Sequence, residues 1–275
     1  MKKMFDTADG RTGAADPSAG ALKRELRKQA RRTRDAIDPA VRAAWSARIA
    51  EKILKTPALE KAEHVLCYVS FGSEVMTDGI INHILDHTDK KVYIPKIIHQ
   101  EKTQVFKGGR IPQKKEGTLP EEGKPVLRKQ QIPPEKERNR PGRKPRPEME
   151  FYRITTLQDL QASDWGIREP EGDPSLRFPW ETYSSGPRQN DSREEAWGGP
   201  AGKADTLLVL MPGVAFDRRR GRIGYGGGFY DRYLAALGGC RTIALAYSVQ
   251  ILDRVPVRPF DIRPEQIITE AEEIC

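Results

Sequence analysis

Residues 207–211, LLVLM, form an apolar run with no polar break, inside the stretch TLLVLMP (206–212). A strand with one wet face alternates apolar and polar residues. An unbroken run belongs to a strand covered on both faces, as in parallel sheets flanked by helices. The same kind of run recurs in HVLCYVSF (64–71) and RTIALAY (241–247), with shorter runs in KVYIP (91–95) and QIIT (266–269). Between them lie segments with helical patterning. ALKRELRKQARRTRDAI (21–37) is rich in strong helix formers and carries a sparse stripe of Leu22, Leu26, Ala30 and Ile37. Asp38 and Pro39 make a cap and first-turn pair for a second helix with Val41, Trp45, Ile49 and Ile53 at spacing four. Thr77 is placed to cap a helix carrying Ile80, Ile81, Ile84 and Leu85. Strands that alternate with helices define the α/β class, here a three-layer, mostly parallel sheet with helices on both faces. No internal repeat is present.

The apolar run at 206–212 leads into GRIGYGGGFYDRYL (221–234). Five of its first eight residues are glycine: Gly221, Gly224, Gly226, Gly227 and Gly228. Glycine costs backbone entropy, so this density needs a reason. FYDRYLAALGG (229–239) reads as a helix with Gly238 and Gly239 at its C-cap. Strand, glycine-rich turn and helix together make a plan for holding phosphate, because bare N–H groups and a helix N-terminus favour negative charge. The loop is neither standard version. A dinucleotide fingerprint starting at Gly224 would need glycine where Phe229 stands, and no Gly-Lys-Ser/Thr follows Gly226. Asp231 falls in the first helical turn, where a carboxylate either binds Mg²⁺ or simply complements the helix dipole. Lys23 and Arg27 share one helix face. They suit a triphosphate or an ordinary solvated basic face. Glu74, in SFGSEVMT, follows a strand and could accept paired N–H donors from a flat heterocycle, or be a surface acid. Asp261, in RPFDIRP, sits in a proline-bounded turn.

The net charge is +8, and residues 100–147 hold fourteen Lys or Arg against six Glu. The remainder is therefore near neutral. The same segment contains eight of the 21 prolines and one aromatic residue, Phe106. It cannot bury enough apolar surface to offset the entropy of ordering itself, so it reads as a solvated, disordered insert. A polyanion-binding arm is the alternative, with strings such as NRPGRKPRP available to nucleic acid. Residues 173–203 are rich in Gly, Pro and Ser and read as a second loop. The expected organisation is a flexible tail at 1–20 and one domain at 21–275, interrupted at about 97–147 and 173–203. Cys67, Cys240 and Cys275 have no metal-ligand spacing, and the four histidines show no catalytic arrangement. The first twenty residues lack an apolar core of signal-peptide length, and no stretch is long enough to span a membrane. The chain reads as soluble and cytoplasmic.

LVLMPGVAFDRRRGRIGYGGGFYDRYL closely resembles the signature of the 5-formyltetrahydrofolate cyclo-ligase family, also called methenyltetrahydrofolate synthetases. LKRELR, YVSFGSEVMT, VYIPK, GIREP and ALAYSVQILDRVPVRPFDIRPEQIITE resemble further family segments in the same order. They span about 21–96, 149–172 and 205–270. The stretch at 97–147 has no counterpart of this length in the family, and 173–203 is enlarged.

The resemblance implies a Rossmann-like fold interrupted by long polar loops. It also implies conversion of 5-formyltetrahydrofolate, with or without a polyglutamate tail, and ATP to 5,10-methenyltetrahydrofolate, ADP and phosphate, with Mg²⁺. It places Lys23, Arg27, Arg222, Gly224, Tyr225, Gly226, Gly227, Gly228, Phe229 and Tyr230 around ATP. Val69, Glu74 and Trp165 would meet the folate together with the stretch Tyr225–Phe229. Asp231 and Asp261 would hold Mg²⁺. The competing expectation is a folate- or nucleotide-binding protein without turnover, or a nucleic-acid binder on the same scaffold that uses the basic insert.

Overall fold

The computed structural model describes residues 17–98, 148–163, 166–183, 204–237 and 239–275. Contacts gather the described residues up to Lys96 and from Met149 onward into one body. A second unit, Ile97–Glu148, falls almost wholly outside the described residues. The basic insert therefore lies outside them, and the fold below is that of the first body.

Its centre is a seven-stranded sheet. β1 (His64–Cys67), β2 (Lys91–Ile98) and β3 (Glu148–Ile154) run outward to one side. β6 (Leu207–Met211), β9 (Arg241–Leu245), β11 (Gln266–Ile268) and β12 (Glu273–Ile274) run outward to the other, in the order β12-β11-β9-β6-β1-β2-β3. β1 pairs in parallel with both β2 and β6, β6 with β9, and β9 with β11, while β12 is antiparallel. Every residue of β1 and β6 is buried, as their unbroken apolar runs require.

Side chains leave a strand alternately up and down, so parity assigns the faces. Val65, Cys67, Leu208, Leu210, Ile243 and Leu245 pack with Ile49 and Ile53 of α2 (Pro39–Leu54), Leu59 of α3 (Pro57–Lys61), and Ile80, Ile81 and Ile84 of α4 (Asp78–His87). On β3, Ile154 joins that face. Phe151, of opposite parity, meets Tyr230 and Tyr233 of α5 (Phe229–Ala236). The sheet thus carries helices on both faces, as its sequence pattern predicts. α1 (Pro17–Asp35) packs through Leu26 and Ala30 on a smaller sheet of β10 (Ile251–Leu252), β7 (Ala215–Asp217) and β8 (Arg222–Ile223).

Several local expectations change. α1 begins at Pro17, not residue 21, with proline in its first turn, where a missing N–H costs nothing. Asp38 caps α2 as read, accepting from the N–H groups of Ala40 and Val41. Val41 stays exposed, whereas Ile49 and Ile53 are buried. Thr77 precedes α4 but makes no side-chain cap. Its hydroxyl donates to the Tyr68 carbonyl at 2.8 Å and accepts from the Ser70 N–H at 3.0 Å. The strand expected at 64–71 ends at Cys67, although Tyr68 and Val69 remain buried. β2 passes through Pro95 rather than stopping there. Its last partner on β1 is Leu66, opposite Tyr93, so Pro95 lies beyond the ladder with β1.

TLQDLQ gives one 3-10 turn, Leu157–Asp159, and then β4 (Leu160–Ala162), which pairs with β5 (Arg168–Pro170). Of the second loop expected at 173–203, the described part, 173–183, carries two 3-10 turns, Pro174–Leu176 and Trp180–Thr182. Phe178 and Tyr183 stack on each other, and Phe178 meets the rings of Tyr93 and His64 edge-on. This aromatic packing also gives His64 a core position. α5 ends with Leu237 as its cap, and Gly238 lies outside the described residues.

Candidate active site

The chain starts in the middle of the sheet, moves outward through β2 and β3, then returns to the opposite side of β1 as β6. The direction of winding reverses between β1 and β6. In a doubly wound sheet, a ligand crevice opens at such a point, beyond the C-terminal ends of the two strands. Beyond β1 runs the loop 68–77, which carries Val69 and Glu74. Beyond β6 come the β7–β8 hairpin and the glycine segment 224–228. The topology therefore brings together two motifs that lie far apart in sequence.

The glycine segment holds its shape through backbone conformations that other residues rarely adopt. Gly226 has φ +109° and Gly228 φ +65°. Gly228 is the residue before α5, so the chain turns through the left-handed region to start the helix. Gly221 has another role. A Cβ there would lie 2.5 Å from Val255 Cγ2 and 2.9 Å from the Asp217 carboxylate. Its N–H donates to Asp217 Oδ1 at 2.7 Å. Gly221 thus closes the hairpin, while Gly226 and Gly228 shape the loop. Tyr225, Gly226 and Gly227 are exposed.

α1 lays a basic stripe across this loop. Lys23 pairs with Asp261. Arg27 Nε donates to the Gly224 carbonyl at 2.8 Å, and its guanidinium carbon lies 3.8 Å from where a Cβ on Gly226 would be. Burial, helped by the charge of Arg24, lowers the Arg27 pKa. One turn on, the Arg31 guanidinium lies 5.9 Å from the centre of the Tyr225 ring. Arg34 donates to the Tyr225 hydroxyl at 2.9 Å. Sequence reading named Lys23 and Arg27 but not Arg31 or Arg34. The signal was present, since positions 23, 27, 31 and 34 continue one helix face at spacings of four, four and three.

Glu74 is 8% exposed. Its Oε2 accepts from the Phe71 N–H at 2.9 Å, and its side chain also bonds to Tyr225. Burial raises its pKa, against the opposing pull of the Tyr225 and Phe71 hydrogen bonds and the charges of Arg34 and Arg31. The Tyr225 pKa is raised in turn by burial and by the neighbouring Glu74. Val69 lies buried in the same loop.

The two predicted metal carboxylates lie on neighbouring segments. Asp231 Oδ1 accepts from the Ile262 N–H at 2.9 Å, which sets Asp231 beside the turn that holds Asp261. Asp261 Oδ2 accepts from the Arg258 N–H at 2.6 Å. Each acid faces a cation. Arg222 Nη2 lies 2.7 Å from Asp231 Oδ1, and their side chains are 4% and 22% exposed. Arg222, expected on ATP, is thus turned inward, with Nη1 toward the Pro212 carbonyl at 3.3 Å. Phe229 lies under the Arg232 guanidinium, 5.1 Å from its ring centre. The Tyr230 hydroxyl is buried and has no hydrogen-bond partner among the described residues. Trp165 lies outside the described residues. Among the described residues, no group of three or more His, Cys, Asp or Glu side chains converges, and no helix is long and apolar enough to cross a membrane.

A family model described as the 5-formyltetrahydrofolate cyclo-ligase family matches residues 19–183 and 185–270. A mitochondrial 5-formyltetrahydrofolate cyclo-ligase from Arabidopsis thaliana is 27% identical over 266 residues, covering 90% of this chain and 73% of the relative. A probable 5-formyltetrahydrofolate cyclo-ligase from Caenorhabditis elegans is 25% identical, covering 82% of this chain and 81% of the relative. In fold, the chain is similar to the 5,10-methenyltetrahydrofolate synthetase of Aquifex aeolicus, with a TM-score of 0.58, 22% identity, and coverage of 92% of this chain and 91% of the other. The Mycoplasma pneumoniae synthetase gives a TM-score of 0.52 at 18% identity, covering 90% and 98%. Since the family match takes in every described segment that builds the crevice, the chain belongs to the 5-formyltetrahydrofolate cyclo-ligase family.

Proposed function

We propose that this protein uses ATP and Mg²⁺ to cyclise 5-formyltetrahydrofolate to 5,10-methenyltetrahydrofolate, releasing ADP and phosphate. The N5-formyl group is an amide, and its oxygen is a poor leaving group. Transfer of the γ-phosphoryl group to that oxygen makes it a good one. N10 then attacks the formyl carbon, and phosphate departs as the ring closes. Such transfer depends on positioning and charge neutralisation, because the substrate's own oxygen is the nucleophile. A site without a nucleophilic side chain suits that chemistry.

The N–H groups of 224–228 and the N-terminus of α5 would receive phosphate, and Lys23 and Arg27 would neutralise it. Glu74 would accept the N–H donors of the pterin, with Val69 against its face. Asp231 and Asp261 fit a Mg²⁺ ion that is shared with phosphates, because Mg²⁺ is commonly held by one or two carboxylates plus substrate oxygens. When bound, the ion would supply neutralisation of phosphate charge. Arg222 and Lys23 hold the two acids in place.

The observation that best supports this reading is the convergence of the two loops at the β1/β6 reversal, with the Tyr230 hydroxyl, just after the glycine segment, buried and without a hydrogen-bond partner among the described residues. Buried polar groups are nearly always satisfied, so a bound molecule is the natural partner for this one. The test mixes purified protein with 5-formyltetrahydrofolate, ATP and Mg²⁺ and follows methenyltetrahydrofolate absorbance. The expected result is an ATP-dependent rise that Asp231→Asn abolishes. A flat trace from folded wild-type protein would overturn the proposal and leave a binding scaffold.

A further inference from the structure

Arg34 has no place in the roles above, yet it is 3% exposed, in a helix whose other arginines are mostly solvated. A buried guanidinium is costly unless its donors find partners. Nε donates to Ser73 Oγ at 2.9 Å, Nη1 to the Gly213 carbonyl at 3.5 Å and Nη2 to the Tyr225 hydroxyl at 2.9 Å. Ser73 in turn donates to Asp35, the next residue on α1. These acceptors belong to the three segments that make the crevice: the loop beyond β1, the chain leaving β6, and the glycine segment. Among the described residues no carboxylate forms an ion pair with Arg34. Two acids are each reached through one hydroxyl: Asp35 through Ser73, and Glu74 through Tyr225, whose hydroxyl accepts from Arg34 and bonds to the Glu74 side chain.

That order of bonds has a direction. A phenol that accepts from a guanidinium has its own proton left to donate, and Glu74 is the group that receives it. We infer that Arg34 is a positioning residue: it fixes the Tyr225 phenol against Glu74 and so couples the folate-binding acid to the phosphate-binding loop. This inference rests on the proposed folate role of Glu74. Tyr225 sits between Gly224 and Gly226, so holding its hydroxyl restrains the loop at that point. Folate at Glu74 and nucleotide at the loop would therefore each favour the arrangement the other needs.

The groups facing Glu74 are Tyr225 and the Phe71 N–H, with the charges of Arg34 and Arg31, while Tyr68 and Tyr230 also lie close by. Losing the Tyr225 hydroxyl and losing the Arg34 charge each remove one of the influences that hold the Glu74 pKa down. The test is a double-mutant cycle of Arg34→Lys and Tyr225→Phe, with Arg34→Gln alongside, scored by kcat/KM for 5-formyltetrahydrofolate across pH and by melting temperature. Each member of the cycle is expected to lose about tenfold in kcat/KM, and the double variant to lose no more than the worse single, as coupled residues do. The acid limb of the profile moves to higher pH in Tyr225→Phe and Arg34→Gln and stays in place in Arg34→Lys.

Losses that multiply in the double variant overturn the inference. So does an unmoved acid limb with lowered melting temperatures, which would make Arg34 a purely structural residue. If the Arg34 variants fail to fold, Tyr225→Phe decides alone, because its ring is 45% exposed and its loss of one hydroxyl leaves the backbone as it was. Wild-type turnover with independent variants removes only this inference. Absence of wild-type turnover removes the proposed function and the inference with it.

Discussion

The two loops that meet at the reversal of the sheet are held by opposite means. The loop beyond β1 is braced by side chains within the core. Thr77 and Glu74 bond back to the backbone of 68–71, and the Tyr68 hydroxyl donates to the Val75 carbonyl at 3.1 Å. From outside, Ser46 accepts from the Met76 N–H, and the Tyr247 hydroxyl reaches the Glu74 carbonyl. The glycine segment beyond β6 shows no such internal brace among the described residues. It is exposed, bent by two positive φ angles, and tethered from outside by Arg27, Arg34 and Arg232. One wall of the crevice is therefore rigid and the other compliant. That would suit the proposed site, in which a flat heterocycle is presented in one pose while a backbone closes around phosphates.

The sharpest way to break this contrast is to loosen the rigid wall. Thr77 is fully buried, and Thr77→Val keeps its shape while removing both bonds of its hydroxyl. The Tyr68 carbonyl and Ser70 N–H are then left without that partner, at about 1–3 kcal/mol for each group that stays buried and unsatisfied. The expected outcome is a fall of several degrees or more in melting temperature, with folate affinity reduced alongside. A variant with wild-type melting would show that this loop is not braced as argued.

The opposite perturbation acts on the compliant wall. At Gly226 a Cβ meets nothing closer than Arg27, so Gly226→Ala creates no clash. Its cost is conformational, because φ +109° suits glycine alone. Forcing an L-residue there costs about 1–3 kcal/mol if the loop keeps its shape. An exposed loop can instead relax, so stability should fall by less than in Thr77→Val while turnover falls at least about tenfold. Gly226→Val should be worse in turnover. Equal damage to melting in the Thr77 and Gly226 variants would remove the distinction between the walls.

How much of this was legible in the sequence follows from the same contrast. β1 and β6 announced themselves because burial on both faces leaves an unbroken apolar run. The glycine segment did so because its backbone admits little else. The small sheet of β7, β8 and β10 did not, since strands of two or three residues carry no periodicity. The ordering of Phe178 and Tyr183 was hidden by the glycines, prolines and serines around them. Pairings such as Arg222 with Asp231 were also illegible. A sequence shows that an arginine and an acid are present but not that one is 4% exposed and turned inward upon the other. Arg34 was half legible. Its register with Lys23 and Arg27 could be read from the helix, and its burial could not.

Glu74 sharpens the comparison through pH. Burial raises its pKa, so between its unfolded and folded values the native state binds more protons than the unfolded chain. An acid shifted in this direction lowers stability as pH rises through that window, and the cost persists at pH 7. Glu74→Gln removes the charge and keeps the shape. It should melt at or above wild type at pH 7, with the advantage shrinking toward acid pH, while KM for 5-formyltetrahydrofolate rises about tenfold. Thermal scans at pH 5 and pH 7 beside steady-state kinetics would check this. A Gln variant that is less stable at both pH values would mean that the carboxylate braces the loop more than its burial opposes folding.

The smallest effect is expected at the outer tether of the compliant wall. Arg232 Nη1 donates to the Gly227 carbonyl at 2.6 Å, and its guanidinium covers the Phe229 ring. Both contacts are made at an exposed position, where a cation over a ring is worth about 0.5–1 kcal/mol. Arg232→Ala should therefore shift melting by no more than a few degrees. Its effect should appear in KM for ATP, as a rise of a few-fold, because the tether steadies the half of the loop nearest the start of α5. KM for 5-formyltetrahydrofolate should change less, since Glu74 and its braces lie on the other wall. If both KM values rose together, the two walls would be moving as one body. The coupling through Tyr225 would then extend along the whole glycine segment rather than ending at Gly226.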